Sequence, residues 1–431
     1  MTQIWRNWSR SVSCEPNTFF APTNQDDLIR LVKSAQRNDK KIRVVGSGHS
    51  FTPLVATTDT LISLKDYSGL LSVDKTAQTA TLKAGTTIKM AGELLFEHGL
   101  MQENLGDINV QSLAGAISTG THGTGTTLGN IATQVVGMTI ITGDGEVVTC
   151  SPSDNSELFK AAQISLGALG IISTITLKLD RAYVLHGKIR KGKLDTTLAN
   201  LEALKADNRH FEFYALPYND TVQTRCFNIS AKAPKKHGMG RWFNEMVLEN
   251  GVLWAMSAFN RAFPSNSERI TRLIGMATSD ADYINHAHLA FASKRYVKFQ
   301  EMEYNIPAEH FIPVLTEILE TIRKDKHKVH FPIECRFVKG DDIPLSPAYG
   351  RESAYIAVHM FAGMPYHAYF EAIEAIFARY DGRPHWGKMH TRTAKDLSPL
   401  YERWGFFQAM RDKTDPSRIF TTPYIGQVLG G

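Results

Sequence analysis

The sequence predicts an α+β protein of two domains, and three observations carry that reading. Its 431 residues supply enough chain for two ordinary cores. The first 180 residues read as short β-branched strands and a few helices, without the steady strand–helix alternation of a doubly wound dinucleotide fold. From about residue 181 the texture changes: glycine thins out, aromatic and basic residues rise, and longer helices appear. The expected division is residues 1–180 against residues 181–391.

The elements follow in order. Residues 24–37 predict a helix, because Leu28, Leu31, Val32 and Ala35 recur at helical spacing behind an Asn/Gln/Asp start. Residues 41–45 predict a strand ended by Gly46-Ser47-Gly48. Residues 60–64, 80–84, 134–142 and 147–150 predict further strands, with Thr142-Gly143-Asp144-Gly145-Glu146 as a hairpin turn between the last two. Residues 88–98 read as a short helix and 167–179 as a strand opened by glycine. In the second half, strands are expected at 210–215, 295–304, 329–338 and 354–361, and helices at 307–324 and 366–380.

Composition and charge exclude several classes. Hydrophobic residues make up 43% and charged residues 21%, which suits a globular chain and not a disordered one. No apolar run is long enough to span a bilayer and the N-terminus has no apolar signal region, so a cytoplasmic protein without a transmembrane segment is expected. Cys14, Cys150, Cys226 and Cys335 lie far apart, which suggests neither a zinc site nor a disulfide framework. The formal charge of +5 divides unevenly: residues 1–180 hold 14 basic and 16 acidic side chains, and the remainder 34 and 27. Between Lys89 and Lys160 there is no Lys or Arg at all. That gap excludes a Walker-type phosphate loop and offers no basic cluster for nucleic acid. There is no HExxH, and His286/His288 and His385/His390 lack carboxylates at ligand spacing, so no metal is expected. No GxSxG elbow is present.

Four motifs could carry chemistry. Gly46-Ser47-Gly48-His49-Ser50 follows a strand; its backbone N–H groups could converge on an anion, or it could be a plain strand-to-loop turn. Ser112 to Gly125 holds four glycines, five Ser/Thr and no basic residue, a surface of backbone and hydroxyl donors suited to the pyrophosphate of a large cofactor, or a small-residue packing segment. Gly167-Ala168-Leu169-Gly170-Ile171-Ile172 allows close backbone approach to a ring or to another strand. Glu334 and Arg336 share one face of a strand, where they could grip a polyhydroxyl substrate or form a cross-strand salt bridge; His359 and His385-Trp386-Gly387-Lys388 follow.

Taken together, these segments resemble the aldonolactone oxidases of the vanillyl-alcohol-oxidase-like flavoproteins, the L-gulono-1,4-lactone and D-arabinono-1,4-lactone oxidases, over nearly the whole chain. Residues 340–347 and 382–388 add to the match. The resemblance implies a PCMH-type FAD-binding domain at 1–180, with the tail 392–431 returning to it, and an α+β substrate (cap) domain at 181–391. It implies FAD attached covalently through His49, with Gly46, Ser47, Gly48, Ser50, Ser112, Ile117, Gly120, Thr121, His122, Gly123 and Ile171 contacting the cofactor. Glu334, Arg336, Lys388 and His359 fall where related alditol oxidases surround the substrate. Phe361 stands where those enzymes have threonine, which fits a ring-shaped substrate better than an open chain. The implied reaction is hydride transfer from a sugar lactone to flavin, with molecular oxygen reduced to hydrogen peroxide, toward ascorbate-type products. Glu334 would hold substrate hydroxyls, Arg336 would offset negative charge on the reduced flavin and orient the alcohol, and Lys388, its pKa lowered by burial, would with His359 help remove the hydroxyl proton. An alditol or oligosaccharide oxidase on the same scaffold, a lactone dehydrogenase passing electrons to a cytochrome or quinone, and a sugar- or nucleotide-binding protein without redox chemistry are the alternatives.

Overall fold

A computed structural model describes residues 4–234, 251–292 and 297–431. Strands Thr18–Phe20, Thr60–Ser63 and Ile42–Val45 form a small parallel sheet with Thr60–Ser63 at its centre. The helix Gln25–Arg37 crosses between the first and last of these. Asn24 caps it, accepting from the Asp27 N–H at 2.9 Å, and Asp26 and Asp27 sit at the positive end of its dipole. A second, antiparallel sheet runs Val147–Cys150, Val135–Ile141, Ile171–Lys178, Thr79–Lys83, Leu70–Asp74. Leu28, Val32, Ile62, Leu82, Ile140 and Ile175 join one apolar cluster with Leu397, Phe407, Phe420 and Val428 of the C-terminal segment.

Arg43 ties three of these segments together. Its fully buried guanidinium donates to the carbonyls of Leu54, Leu166, Gly167 and Phe420 at 2.6–3.1 Å. The Ile42 N–H bonds to Ile419 O at 2.8 Å beside it.

The second half is built on an eight-stranded antiparallel sheet ordered Ala281–His286, Val184–Lys193, Thr221–Ile229, His210–Ala215, Ile333–Val338, Ser353–Phe361, Phe299–Pro307, Arg383–Pro384. Side chains alternate across its faces. Phe211, Phe213, Cys335, Phe337, Ile356, Val358, Met302 and Tyr304 pack on one side against the helices Phe311–Lys324 and His367–Arg379. Glu212, Tyr214, Glu334, Arg336, Tyr355, His359, Glu301 and Glu303 occupy the other register positions, and all are buried. This polar face is the floor of the site.

Most expected elements are present with shifted ends. The strand expected at 295–304 is Phe299–Pro307, and its first two positions lie outside the described residues. The helix expected from 307 begins at Phe311 after a short turn at Ala308–His310. The strand expected from Gly167 begins at Ile171, because Gly167 and Gly170 adopt positive φ, which ends strand geometry. Val184–Lys193 and Thr221–Ile229 escaped sequence reading: both are mixed polar strands without clean alternation, held by long pairing on both sides.

Replacing Arg43 with Met strands four buried carbonyls without their donor. Arg43→Met is expected to lower stability by about 3 kcal/mol or more, read as a shift of the urea midpoint.

Candidate active site

Two chambers meet at the loop after Val45. The outer one, about 920 Å³ and open to solvent, is lined by Gly46 to Ser50, Gln111, Ser112, Gly115, Thr119, Gly170, Ile171 and Ile172. The inner one, about 650 Å³, is lined by Trp8, Phe51, Asp107, Thr121, His122, Glu301, Glu303, Arg336, His385 and Lys388. His49, Ser50, Gln111 and Thr119 border both.

The loop is clamped from two sides. From the N-terminus, the Trp8 N–H bonds to Gly48 O at 2.8 Å and Asn7 Nδ2 to Ser50 O at 2.9 Å. From the second half, Gly387 O accepts from the Phe51 N–H at 2.7 Å. Trp386, fully buried, donates from Nε1 to Leu345 O at 2.7 Å and so fixes the Lys388 loop to residues 340–347. That segment is itself anchored: Asp341 accepts from Asn130 Nδ2 at 2.7 Å and from Ser346 Oγ at 2.6 Å. The 340–347 motif therefore braces the site from behind.

The outer chamber fits FAD. Among the described residues, the N–H groups of Ser47, Gly48, His49 and Ser50 make no hydrogen bond within the protein, which leaves four successive donors for a ligand's anionic oxygens. A Cβ on Gly46 would stand 1.8 Å from Ser112 Oγ, so only glycine lets the loop lie against that helix end. The one cation in the lining, Arg43, is committed to carbonyls, so the remaining donors are neutral. Ile117 lines neither chamber: it is buried in the apolar cluster. Gly120, at φ +73°, and Gly123, whose Cβ would meet Leu105 O at 2.4 Å, likewise line neither of the two chambers.

His49 stacks on Trp8, ring centroids 5.5 Å apart. Burial and the nearby Lys388 ammonium push its pKa down to about 4, leaving a neutral imidazole at physiological pH.

The inner chamber is an ionic lattice. Arg336 donates from Nε to Glu212 at 2.8 Å and from Nη2 to Glu334, and Asp107 lies 3.5 Å away. Tyr214 Oη donates to Glu334 at 3.0 Å. Lys388 Nζ lies 2.5 Å from Glu301 and 3.8 Å from Glu303. His359 Nε2 lies 3.4 Å from Glu301 and 3.9 Å from Glu334; its Nδ1 faces Pro332 O at 3.3 Å. His122 faces Glu303 at 3.2 Å and Gly123 O at 2.9 Å, and stacks on Tyr355.

Charge states follow from this packing. Burial alone would raise Glu301, but Lys388 and then His359 hold it down to about 2. Glu303 is also buried, yet His122 and Lys388 keep it well below the usual carboxylate range. Burial pushes His385 down to about 3; its Nδ1 accepts from the Gly387 N–H at 3.0 Å, which makes it neutral and protonated on Nε2. The expectation of a lowered Lys388 pKa is overturned. Burial lowers it, but Glu301 and Glu303 outweigh that and raise it, so Lys388 is an ammonium, not a base.

The sequence reading placed Glu334 and His359 at the substrate; Arg336 and Lys388 line the inner chamber, whereas Glu334 and His359 are one layer behind them. Glu301, Glu303 and Glu212 were not singled out. Their signal was two carboxylates at period two within the predicted strand 295–304 and one between Phe211 and Phe213. Two His/Glu groups with ligand atoms within 4.8 Å also emerge, His122–Glu303–His385 and Glu301–Glu334–His359, which sequence spacing did not reveal. In each, Lys388 or Arg336 already supplies the positive charge that the carboxylates require.

Residues 16–151 match the FAD binding domain family, and residues 175–428 match the D-arabinono-1,4-lactone oxidase family. An L-gulono-1,4-lactone dehydrogenase of Mycobacterium tuberculosis is 38% identical across 100% of both chains. The L-gulonolactone oxidase of Bos taurus is 30% identical, covering 99% of this chain and 98% of its own. Cholesterol oxidase from Brevibacterium sterolicum superposes at a TM-score of 0.84 over 100% of this chain and 97% of its own; at 18% identity that likeness is one of fold, the PCMH-type FAD-binding fold.

Glu301→Gln leaves Lys388 short of its nearest counter-charge and is expected to cost about 3 kcal/mol at neutral pH. A depressed carboxylate stabilises above its unfolded pKa and loses that contribution as pH falls through the folded one. The gap between wild type and variant, measured by thermal melting, should therefore be full near pH 6 and close as pH drops below about 4 toward 2.

Proposed function

The chain belongs to the D-arabinono-1,4-lactone oxidase family and is an FAD-dependent aldonolactone oxidoreductase; from that premise we propose that it oxidises a secondary alcohol of a sugar-acid 1,4-lactone such as L-gulono-, L-galactono- or D-arabinono-1,4-lactone, with FAD held covalently by His49 and O2 as electron acceptor. The observation that carries this reading is the chamber floored by Arg336, Lys388, Glu301 and Glu303 that opens directly onto the His49 loop.

Bound FAD supplies the hydride acceptor. Gly46 to Ser50 and Ser112 would hold it through backbone and hydroxyl donors, and Ile171 would flank it. The neutral His49 has a free nitrogen lone pair for bonding to the cofactor's methyl carbon. Within the inner chamber, Lys388 and Arg336 present fixed cations to the lactone's carbonyl and hydroxyl oxygens, and they need no reorganisation because carboxylates already hold them. Glu301 accepts the hydrogen bond of the reacting alcohol, orienting its C–H bond toward the outer chamber. His359, one layer behind the lining, braces Glu301 and Glu334 for this task. Trp8 and Phe51 close the chamber's apolar side and exclude water.

One observation favours a second reading of the acceptor: the relative at 38% identity is named a dehydrogenase. Stopped-flow mixing of the lactone-reduced protein with O2 separates the two, since slow reoxidation by O2 with fast reoxidation by a quinone or cytochrome would replace the oxidase reading.

Acid precipitation of the purified protein should leave a yellow, fluorescent pellet, and His49→Ala should release free FAD under the same treatment. If wild type loses its colour to the supernatant, the covalent role of His49 is wrong. Arg336→Lys keeps a charge but not the fork that spans Glu212 and Glu334; kcat/KM for lactone should fall about 100-fold with the protein still folded.

A further inference from the structure

His385 lines the inner chamber, yet neither the ionic lattice nor the proposed chemistry uses it. The residue is 4% exposed and is held along its backbone. Its N–H donates to Glu303 O at 2.9 Å, and its carbonyl accepts from the Lys388 N–H at 2.9 Å. At the ring, Nδ1 accepts from the Gly387 N–H at 3.0 Å. A backbone N–H can only donate, so Nδ1 keeps its lone pair and the proton of the neutral ring sits on Nε2. Among the described residues, Nε2 makes no hydrogen bond. The carboxylate of Glu303, grouped with His385 and His122 within 4.8 Å, is already answered by His122 at 3.2 Å and Lys388 at 3.8 Å.

The same tautomer rules out a metal role for this group. A ring that ligates through Nε2 carries its proton on Nδ1 and gives it to an acceptor. Here Nδ1 faces a donor, so His385 presents an N–H and not a lone pair.

The fixed sense of that donor says what it can hold. Lys388, three residues on in the same loop, is close enough for its ammonium to push the ring's pKa down further, so a second donor stands near the first. A hydroxyl entering such a corner brings a proton that needs an acceptor of its own. A carbonyl oxygen brings none, and its two lone pairs suit two donors. On a sugar-acid 1,4-lactone the carbonyl is the strongest oxygen of that kind.

We infer that His385 determines the preference for a lactone: its Nε2–H, beside Lys388, holds the carbonyl oxygen and distinguishes the ring ester from a polyol. The inference rests on the aldonolactone reading above and adds to it the residue that reads the carbonyl.

The test uses the full-length FAD-loaded protein, reduced with dithionite so that no turnover occurs. It is titrated in a calorimeter with L-gulono-1,4-lactone and with the 1,4-anhydroalditol of the same configuration, which keeps the ring and its hydroxyls but has a methylene in place of the carbonyl. Wild type should bind the lactone about tenfold more tightly than the anhydroalditol. His385→Phe keeps a ring without the donor, and should bring the lactone down to the affinity of the anhydroalditol while the latter stays unchanged. His385→Gln, which returns an N–H near the same place, should recover most of the preference. Because burial keeps His385 neutral down to about 3, the wild-type preference should be flat between about pH 5 and 7.5. A step near the ordinary histidine pKa of about 6.5 would overturn the inference, whether or not the variants fold. So would an equal loss of both ligands in His385→Phe, the mark of a merely structural ring. Wild type that binds neither ligand would instead remove the lactone reading of the chamber, and this inference with it.

Discussion

The structure turns on the cost of burying carboxylates. Glu212, Glu301, Glu303 and Glu334 point from one face of an eight-stranded sheet into a space closed by glycine-rich chain, where an unpaired charge would be very costly. Three cations, Arg336, Lys388 and Arg225, and two imidazoles, His122 and His359, answer them. Everything that brings Lys388 to this face is therefore constrained: the buried Trp386, the bond from Phe51 N–H to Gly387 O, and the Asp341 turn whose Leu345 carbonyl anchors Trp386. The same braces fix the loop that carries His49. The outer and inner chambers are positioned by one set of contacts.

Glycine has a different task in each place. Gly46 removes a side chain so that the loop can lie on Ser112, and Gly48, at φ +67°, turns the chain so that its N–H groups stay free. Further along, Gly123 lets the chain cross close to Leu105. The absence of Lys and Arg between positions 89 and 160 makes physical sense here, since neutral donors line the outer chamber without competing for the carboxylates of the adjoining one.

Local chemistry explains what could be read beforehand. The capped helix at Gln25–Arg37, the hairpin at Val135–Ile141 and Val147–Cys150, and the strand His210–Ala215 announce themselves by periodicity and turn residues. The motifs holding His49, Arg336 and Lys388 were visible as unusual residues in short segments. Their partners were not, because Glu301 meets Lys388 and Glu212 meets Arg336 only through sheet order, and strand order is a non-local property. The protonation of Lys388 went wrong for that reason: burial was foreseeable from sequence, and the two facing glutamates were not.

Arg43 carries one more consequence. Its guanidinium closes on Phe420 O, 377 positions further along the chain, and the strand it sits on bonds to Ile419. The wall of the outer chamber is thus a long-range closure. The glycine-rich loop beside Arg43 is local in sequence, yet it encloses nothing until that distant segment has docked, and contacts of such wide separation are the slow ones to form.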